Sequence, residues 1–369
     1  MYVTSRPSPV RPAALLLSAV ALGALGAVGT APAAAAPGPL APTVLSVEQN
    51  DTPVDGWGGW LVWSRRDDDG RYRLVARTPD GTGVQLGVAP QDAPIDAGIG
   101  PGPDGTPLVV YTVCKQAATA VPTGCDVRRL DVLTGVDAPV PAASSPDVDE
   151  RFPAVWGSRI AFSRPASAAR PLRTGIAIAD LGSTTAVGPT VFGTRTEKRG
   201  RRRVASPEYG PQGIDLRRSV VAASWRTAGA GPERWRLIVR RGSSAPRTVV
   251  SATTNRRTLS RLGRPALSAH EVVAPRQRAG TTNRSELLRS TLSGKRMWTL
   301  GSGFSDAQSE RYGSALSAVT RITEDRLVVV RRLASDGRWS CKHPLLPDAR
   351  GCELLQLDAE AQPWRRVAR

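Results

Sequence analysis

Residues able to do chemistry are few in this chain and widely spaced. Its 369 residues include only two histidines, His270 and His343. A Ser-His-Asp triad or a two-histidine metal centre needs one or both at the heart of a site. His270 stands in a turn before an apolar run and His343 in a loop between two cysteines, so both read as loop residues. Carboxylates cluster at Asp67-Asp68-Asp69-Gly70. Grouped oxygens suit a hard cation, but Asp and Gly between two strand-like runs form a hairpin tip, and the tip is the reading adopted. A paired-carboxylate glycosidase site remains conceivable, yet no spacing selects the pair. The expectation is a chain with no assigned catalytic residue, no metal site and no cofactor.

Two features could bind instead of react. In Arg195-Thr-Glu-Lys-Arg-Gly-Arg-Arg-Arg203 the basic residues are Arg195, Lys198, Arg199, Arg201, Arg202 and Arg203. Like charges this close repel and stay solvated. The segment is expected to be a mobile loop (193–207) that is inert filler, a contact for anionic wall polymers or lipid head groups, or a processing loop. Trp57 and Trp60 flank Gly58-Gly59 and could line an aromatic sugar-binding face; core packing is the competing reading. Trp63, Trp225 and Trp235 fall inside strand-like runs and are expected in the core.

Charge and leader bound the setting. Residues 37–150 hold 8 Lys+Arg and 16 Asp+Glu, whereas 151–369 hold 40 and 16. Only four of the 50 basic residues are lysine, a choice that coding bias explains without explaining the asymmetry. Arg6 and Arg11 precede an apolar run, Ala13–Val28, and the small-residue tract 31–37, the layout of a cleavable secretory signal over residues 1–36. The run is interrupted by glycines and lacks the 18 or so unbroken apolar residues of a membrane span. Export disfavours nucleic acid as a partner despite the basic balance. The mature chain is expected to be a monomer, secreted or associated with the cell envelope.

The four cysteines, Cys114, Cys125, Cys341 and Cys352, form two C-x10-C pairs. Zinc sites usually use C-x2–4-C, so two local disulfides are expected, 114–125 and 341–352.

The elements that must position these residues recur. Apolar runs begin at Leu61, Leu108, Ile160, Val220, Val272 and Leu327, at intervals of 47 to 60 residues. Each is followed by a second alternating run, such as Tyr72–Arg77 or Gly175–Asp180, and most then reach a Gly-containing turn and a short outer strand. With a further strand before each main one, the period of about 50 gives four strands per unit. A unit apolar on both faces cannot bury itself, but a ring of six can. The fold class expected is all-β: a six-bladed β-propeller of four-stranded antiparallel blades. It forms one domain over 37–369, with approximate blades 50–90, 91–141, 150–192, 208–252, 259–301 and 312–369. The outer strand closing the ring could come from Thr43–Val47 or from Trp364–Val367. Both cysteine pairs fall at the hairpin between second and third strands, in repeats two and six.

Pro153-Ala-Val-Trp-Gly-Ser-Arg-Ile-Ala-Phe-Ser-Arg164, followed by Gly175–Asp180, resembles the repeat of TolB-like (WD40-like) β-propellers. Pro79-Asp80-Gly81 and Pro103-Asp104-Gly105 resemble that repeat's turn. Ser335-Asp-Gly-Arg-Trp339 resembles the Asp-box of sialidase-type propellers in composition but not in spacing, and reads as a hairpin tip. The resemblance implies the fold and not the function, because such propellers serve many ends. The reading is an exported, non-enzymatic binding module for an envelope protein, a peptide or an anionic polymer. The rivals are a propeller hydrolase or lyase acting on polysaccharide, and a structural scaffold.

Overall fold

The structure is a computed structural model. It describes residues 42–116, 123–166, 173–190, 196–199, 202–205, 208–227, 233–254, 259–279, 284–301, 314–335, 338–343, 346–350 and 352–367. Among them no helix is long and apolar enough to cross a membrane.

Six antiparallel sheets carry the chain. Blade 1 runs Val54–Trp57, Trp60–Arg66, Tyr72–Arg77 and Gly83–Gln85, each strand pairing with the next. Blade 2 is Ala97–Pro101, Pro107–Gln116, Thr123–Asp131 and Asp137–Pro139. Blade 3 is Arg151–Trp156, Arg159–Pro165, Thr174–Asp180 and Val187–Thr190. Blade 4 is Glu208–Arg217, Val220–Thr227, Arg234–Arg241 and Arg247–Thr253. In blade 5 the first strand is broken into Leu259–Leu262 and Ala266–Leu267, before Glu271–Ala279, Arg284–Thr291 and Met297–Gly301. Blade 6 is Ser314–Arg321, Arg326–Ser335 and Cys352–Asp358, with Thr43–Glu48 as its outer strand. The expected six-bladed, four-stranded propeller is the fold observed.

Side chains on a strand alternate between faces, and each face packs on a different neighbour. Ile160 and Phe162 join Val110 and Val127 in the core between blades 2 and 3, whereas Ala161 joins Ile214 and Trp225 between blades 3 and 4. Comparable clusters fill every other interface, including Val54, Leu61 and Trp63 with Val328 and Leu354 between blades 1 and 6. Trp63, Trp225 and Trp235 are all buried, as their strand positions imply.

Thr43–Glu48 pairs with Cys352–Gln356, so the N-terminal segment closes the ring. Glu48, almost fully buried, accepts the Trp63 indole N–H at 2.9 Å and the Arg65 guanidinium at 2.9 Å, tying that strand to blade 1. The alternative closing segment does something else: Arg365–Arg366 adds a fifth strand to blade 5, beside Met297–Gly301.

Both disulfides form as paired in the sequence reading, Cys114–Cys125 and Cys341–Cys352. Their registers differ from the expectation of two equivalent positions. Cys114 and Cys125 face each other directly across the second and third strands of blade 2. In blade 6 Cys352 faces Arg332, and Cys341 follows a short return strand, Arg338–Ser340, that pairs back on Leu333–Ser335. The longer excursion supplies extra chain, and the second disulfide ties its start to the third strand.

The basic segment departs from the expected mobile loop. Thr196–Arg199 pairs with Arg202–Ala205 as a hairpin, with Lys198 opposite Arg203 and Arg199 opposite Arg202. Backbone pairing here holds together a run that charge alone would spread. Arg195 and Arg201 lie outside the described residues, as does the signal-like segment 1–36.

Candidate functional site

The first strands of successive blades lie beside one another around the axis, and some of their polar residues face the channel or its mouth. Charged residues on these strands include Asp55 in Val54-Asp55-Gly56, Asp215 in Ile214-Asp215-Leu216 and Arg321 in Thr320-Arg321-Ile322. The break in blade 5 contributes a fourth group. Gly263-Arg264-Pro265 leaves the strand, and a Cβ on Gly263 would lie 2.4 Å from the Ser317 carbonyl, so only glycine fits. Arg264 then crosses the axis.

Its guanidinium bonds the Ala97 carbonyl of blade 2 at 2.5 Å and the Pro153 carbonyl of blade 3 at 3.3 Å. It also pairs with Asp55 of blade 1 at 3.1 Å. Asp55 in turn accepts Ile99 N–H of blade 2 at 2.9 Å and Thr320 Oγ1–H of blade 6 at 2.9 Å. Asp215 of blade 4 accepts Leu267 N–H of blade 5 at 2.5 Å. These contacts touch all six blades. The approach is close because blade 2 is glycine-rich at the axis: a Cβ on Gly100 would meet the Val155 carbonyl at 2.2 Å.

Burial, reinforced by the negative charge of nearby Asp55, pushes the Asp215 carboxyl up to about 7, although Arg264 opposes the shift. Asp96 is raised by burial in the same way, against Arg264 and Arg151. A carboxyl poised near neutrality is a proton donor or acceptor in waiting. Both oxygens of its neighbour Asp55 accept hydrogen bonds.

Above this polar hub the channel mouth opens into a cavity of about 220 Å³. Its walls come from the ends of the first strands: Trp57 of blade 1, Trp156 of blade 3, Asp215 and Arg217 of blade 4, and Arg321 and Glu324 of blade 6. Arg217 stacks over the Trp156 ring, 5.0 Å from its centroid, and reaches across to pair with Glu324. Blades 3, 4 and 6 are thereby bridged at the rim. Ile99, Leu267 and Ile322 supply apolar wall.

A second cavity, about 410 Å³, lies between blades 1 and 2 beside the Cys114–Cys125 disulfide. Two ion pairs line it, Arg128 with Asp137 at 3.0 Å and Arg71 with Asp92 at 3.5 Å, together with Lys115. Burial and the adjacent Asp137 push the Tyr111 phenol up to about 12, so it stays protonated.

Of the residues singled out in the sequence, Trp57 lines the mouth cavity, whereas Trp60, facing it across the turn, packs with it against the core between blades 1 and 2. The Asp-rich run is a hairpin tip: Asp67 pairs with Arg73, and Asp69 accepts Arg71 N–H at 2.8 Å. His270 is exposed in the turn before Glu271–Ala279, and His343 lies in a short strand, Lys342–His343. Among the described residues no group of three potential ligands gathers for a metal ion. Sequence reasoning missed Asp55, Asp215, Arg217, Arg264, Arg321 and Glu324. A signal existed for two of them, since Asp55 and Asp215 each interrupt an apolar first strand.

No protein-family profile matches the sequence, and no curated protein matches it. Solved structures do resemble it in fold. A fucose-binding lectin mutant from Aleuria aurantia is 10% identical, with 88% of this chain and 97% of the lectin covered and a TM-score of 0.50. TolB from Acinetobacter baumannii is 13% identical over 69% of this chain, with a TM-score of 0.45. A puromycin hydrolase is 13% identical over 88% of it, with a TM-score of 0.49. The chain spans about half of the last two, 55% of each. At such identities the likeness concerns the propeller fold alone.

Proposed function

We propose that the chain is an exported β-propeller binding module that receives part of a partner molecule in the cavity at the channel mouth. The observation that carries this reading is the cavity's construction. Aromatic, apolar and charged side chains from separate blades converge on one concave site, the form that ligand sites take. Two disulfides are compatible with an oxidising, exported setting. The basic hairpin 196–205 is a second candidate contact, for a polyanion.

A hydrolase or lyase is the second reading, favoured by Asp215 alone. Acid–base cleavage of a glycosidic bond uses two carboxyl groups, but both oxygens of Asp55 already accept hydrogen bonds and the cavity's other carboxylate, Glu324, is paired with Arg217. Binding therefore fits the geometry better than catalysis.

The test is retention of an envelope partner by the mature domain, compared with Trp57→Ala and with deletion of 195–203. Loss with Trp57→Ala alone supports the cavity; loss only on deleting the hairpin would move the site there. Polysaccharide cleavage that disappears in Asp215→Asn would favour the enzyme.

A further inference from the structure

The second strands of the blades share one position whose occupant changes in blade 2. Trp63, Phe162, Ala274 and Val329 each pack on the preceding blade, and two residues later the same strand face carries Arg65, Arg164, Arg276 and Arg331. Each of these arginines is held by a glutamate: Arg65 by Glu48 at 2.9 Å, and Arg164 by Glu150, Arg276 by Glu286 and Arg331 by Glu353 at 2.5 Å. Blade 4 fills the position with Trp225, which is fully buried. Blade 2 has only Val113, two residues after Tyr111. The acidic partner is exchanged as well. Glu48 lies opposite Cys352, the first residue of the third strand of blade 6, whereas Gln91 lies opposite Tyr72, the first residue of the third strand of blade 1. Gln91 turns to the backbone, donating to the Thr112 carbonyl at 3.1 Å and accepting Cys114 N–H at 3.4 Å.

Val113 and Gln91 both line the cavity of about 410 Å³ between blades 1 and 2. That volume falls within the roughly 300–1,000 Å³ typical of ligand pockets. The side chains of its two ion pairs, Arg128–Asp137 and Arg71–Asp92, are between 29% and 61% exposed, so a ligand can reach them. The fifth charge, Lys115, is exposed and close enough to Asp126 to lower that carboxyl's pKa. Every lining charge thus has an opposite charge beside it, and an ionic ligand would have to displace a partner already in place. A neutral ligand would not. A guanidinium has five N–H donors and a carboxylate about four acceptor sites, so each pair keeps both capacities beyond the bond within it. A hydroxyl group donates and accepts at once, which suits it to such a pair. Ala89, Pro90 and Val113 add apolar wall.

We propose that the cavity between blades 1 and 2 is a saccharide site. It takes a neutral sugar unit whose hydroxyls bond the Arg71–Asp92 and Arg128–Asp137 pairs, with Ala89, Pro90 and Val113 against the C–H face of the ring. The site is separate from the channel mouth. It is open because blade 2 carries Val113 and Gln91 where blades 1, 3, 5 and 6 carry an arginine held by a glutamate.

The mature, oxidised protein would be screened by saturation-transfer NMR with glucose, galactose, mannose, fucose, arabinose and N-acetylglucosamine, and beside them with inorganic phosphate and N-acetylglycinamide. At least one neutral sugar is expected to bind, and calorimetry would then give its affinity. Gln91→Glu combined with Val113→Arg rebuilds in this cavity the pair of the other blades, and is expected to abolish sugar binding. Arg71→Gln alters a half-exposed side chain that the fold does not depend on. It is expected to weaken the sugar about ten-fold, the scale of one hydrogen bond to a charged group. If the double variant fails to fold, the Arg71→Gln comparison decides. No binding of any of these sugars overturns the inference, and so does sugar binding that both variants leave unchanged. Phosphate or the amide bound more tightly than every sugar, and lost in the double variant, overturns the saccharide class.

Discussion

Replacing Arg264 with leucine should be among the most damaging single changes in the protein. The Arg264 side chain is 10% exposed and its partner Asp55 is 9% exposed, so solvent screens the pair little. Leucine cannot replace the guanidinium bonds to the Ala97 and Pro153 carbonyls. It would also leave a buried carboxylate with only Ile99 N–H and Thr320 Oγ1–H as donors. Breaking a buried pair by removing one member costs about 3–5 kcal/mol, a large part of the roughly 5–15 kcal/mol that holds a native protein together. With a urea dependence of a few kcal/mol per molar, the unfolding midpoint should fall by about 1 M. Equilibrium urea unfolding with the disulfides intact measures this. Adding Asp55→Asn removes the stranded charge, so the double variant should recover part of the loss. A loss below about 1 kcal/mol in Arg264→Leu, or strict additivity in the double variant, would refute the view that this arginine fastens the blades.

Deleting residues 37–48 should lower the melting temperature sharply, because it exposes the edge of Cys352–Asp358 and removes the buried Glu48 from Trp63 and Arg65; unchanged melting would mean the strand is dispensable. Asp215 should make stability depend on pH. Its folded pKa of about 7 lies above the usual 3.8, so its contribution favours folding at low pH and is lost as pH rises toward 7. Asp215→Asn should flatten the fall in stability between about pH 4 and 7, and an unchanged slope in denaturant titrations would count against the raised value. Replacing Cys114 and Cys125 together by serine should cost about 3 kcal/mol, the scale for a loop of this length. Peptide mapping without reduction should recover only 114–125 and 341–352.

The architecture was legible because it is written in local periodicities. Alternating apolar residues, Asp-Gly turns and a period near 50 specify strands, hairpins and a repeat, and a repeat apolar on both faces has to close on itself. The cysteine pairs were legible for the same reason: C-x10-C closes one hairpin. The site was not. Asp55, Asp215, Arg264 and Arg321 are separated by between 49 and 266 residues and share no spacing. Nothing local distinguishes Arg264 from the other arginines of a basic chain, and its role depends on a strand break that Gly263 permits. Closure was equally undetermined, since Thr43–Val47 and Trp364–Val367 are both plausible edge strands. Their places follow from which free edge each meets once the ring has formed. The sequence by itself therefore determined the elements, their order and the disulfide partners, all set by interactions within a few tens of residues. Only the tertiary structure decided which charged groups meet at the axis, which segment closes the ring, and that Arg321 is buried beside the channel mouth. Those outcomes depend on distances between blades, and no local pattern encodes them.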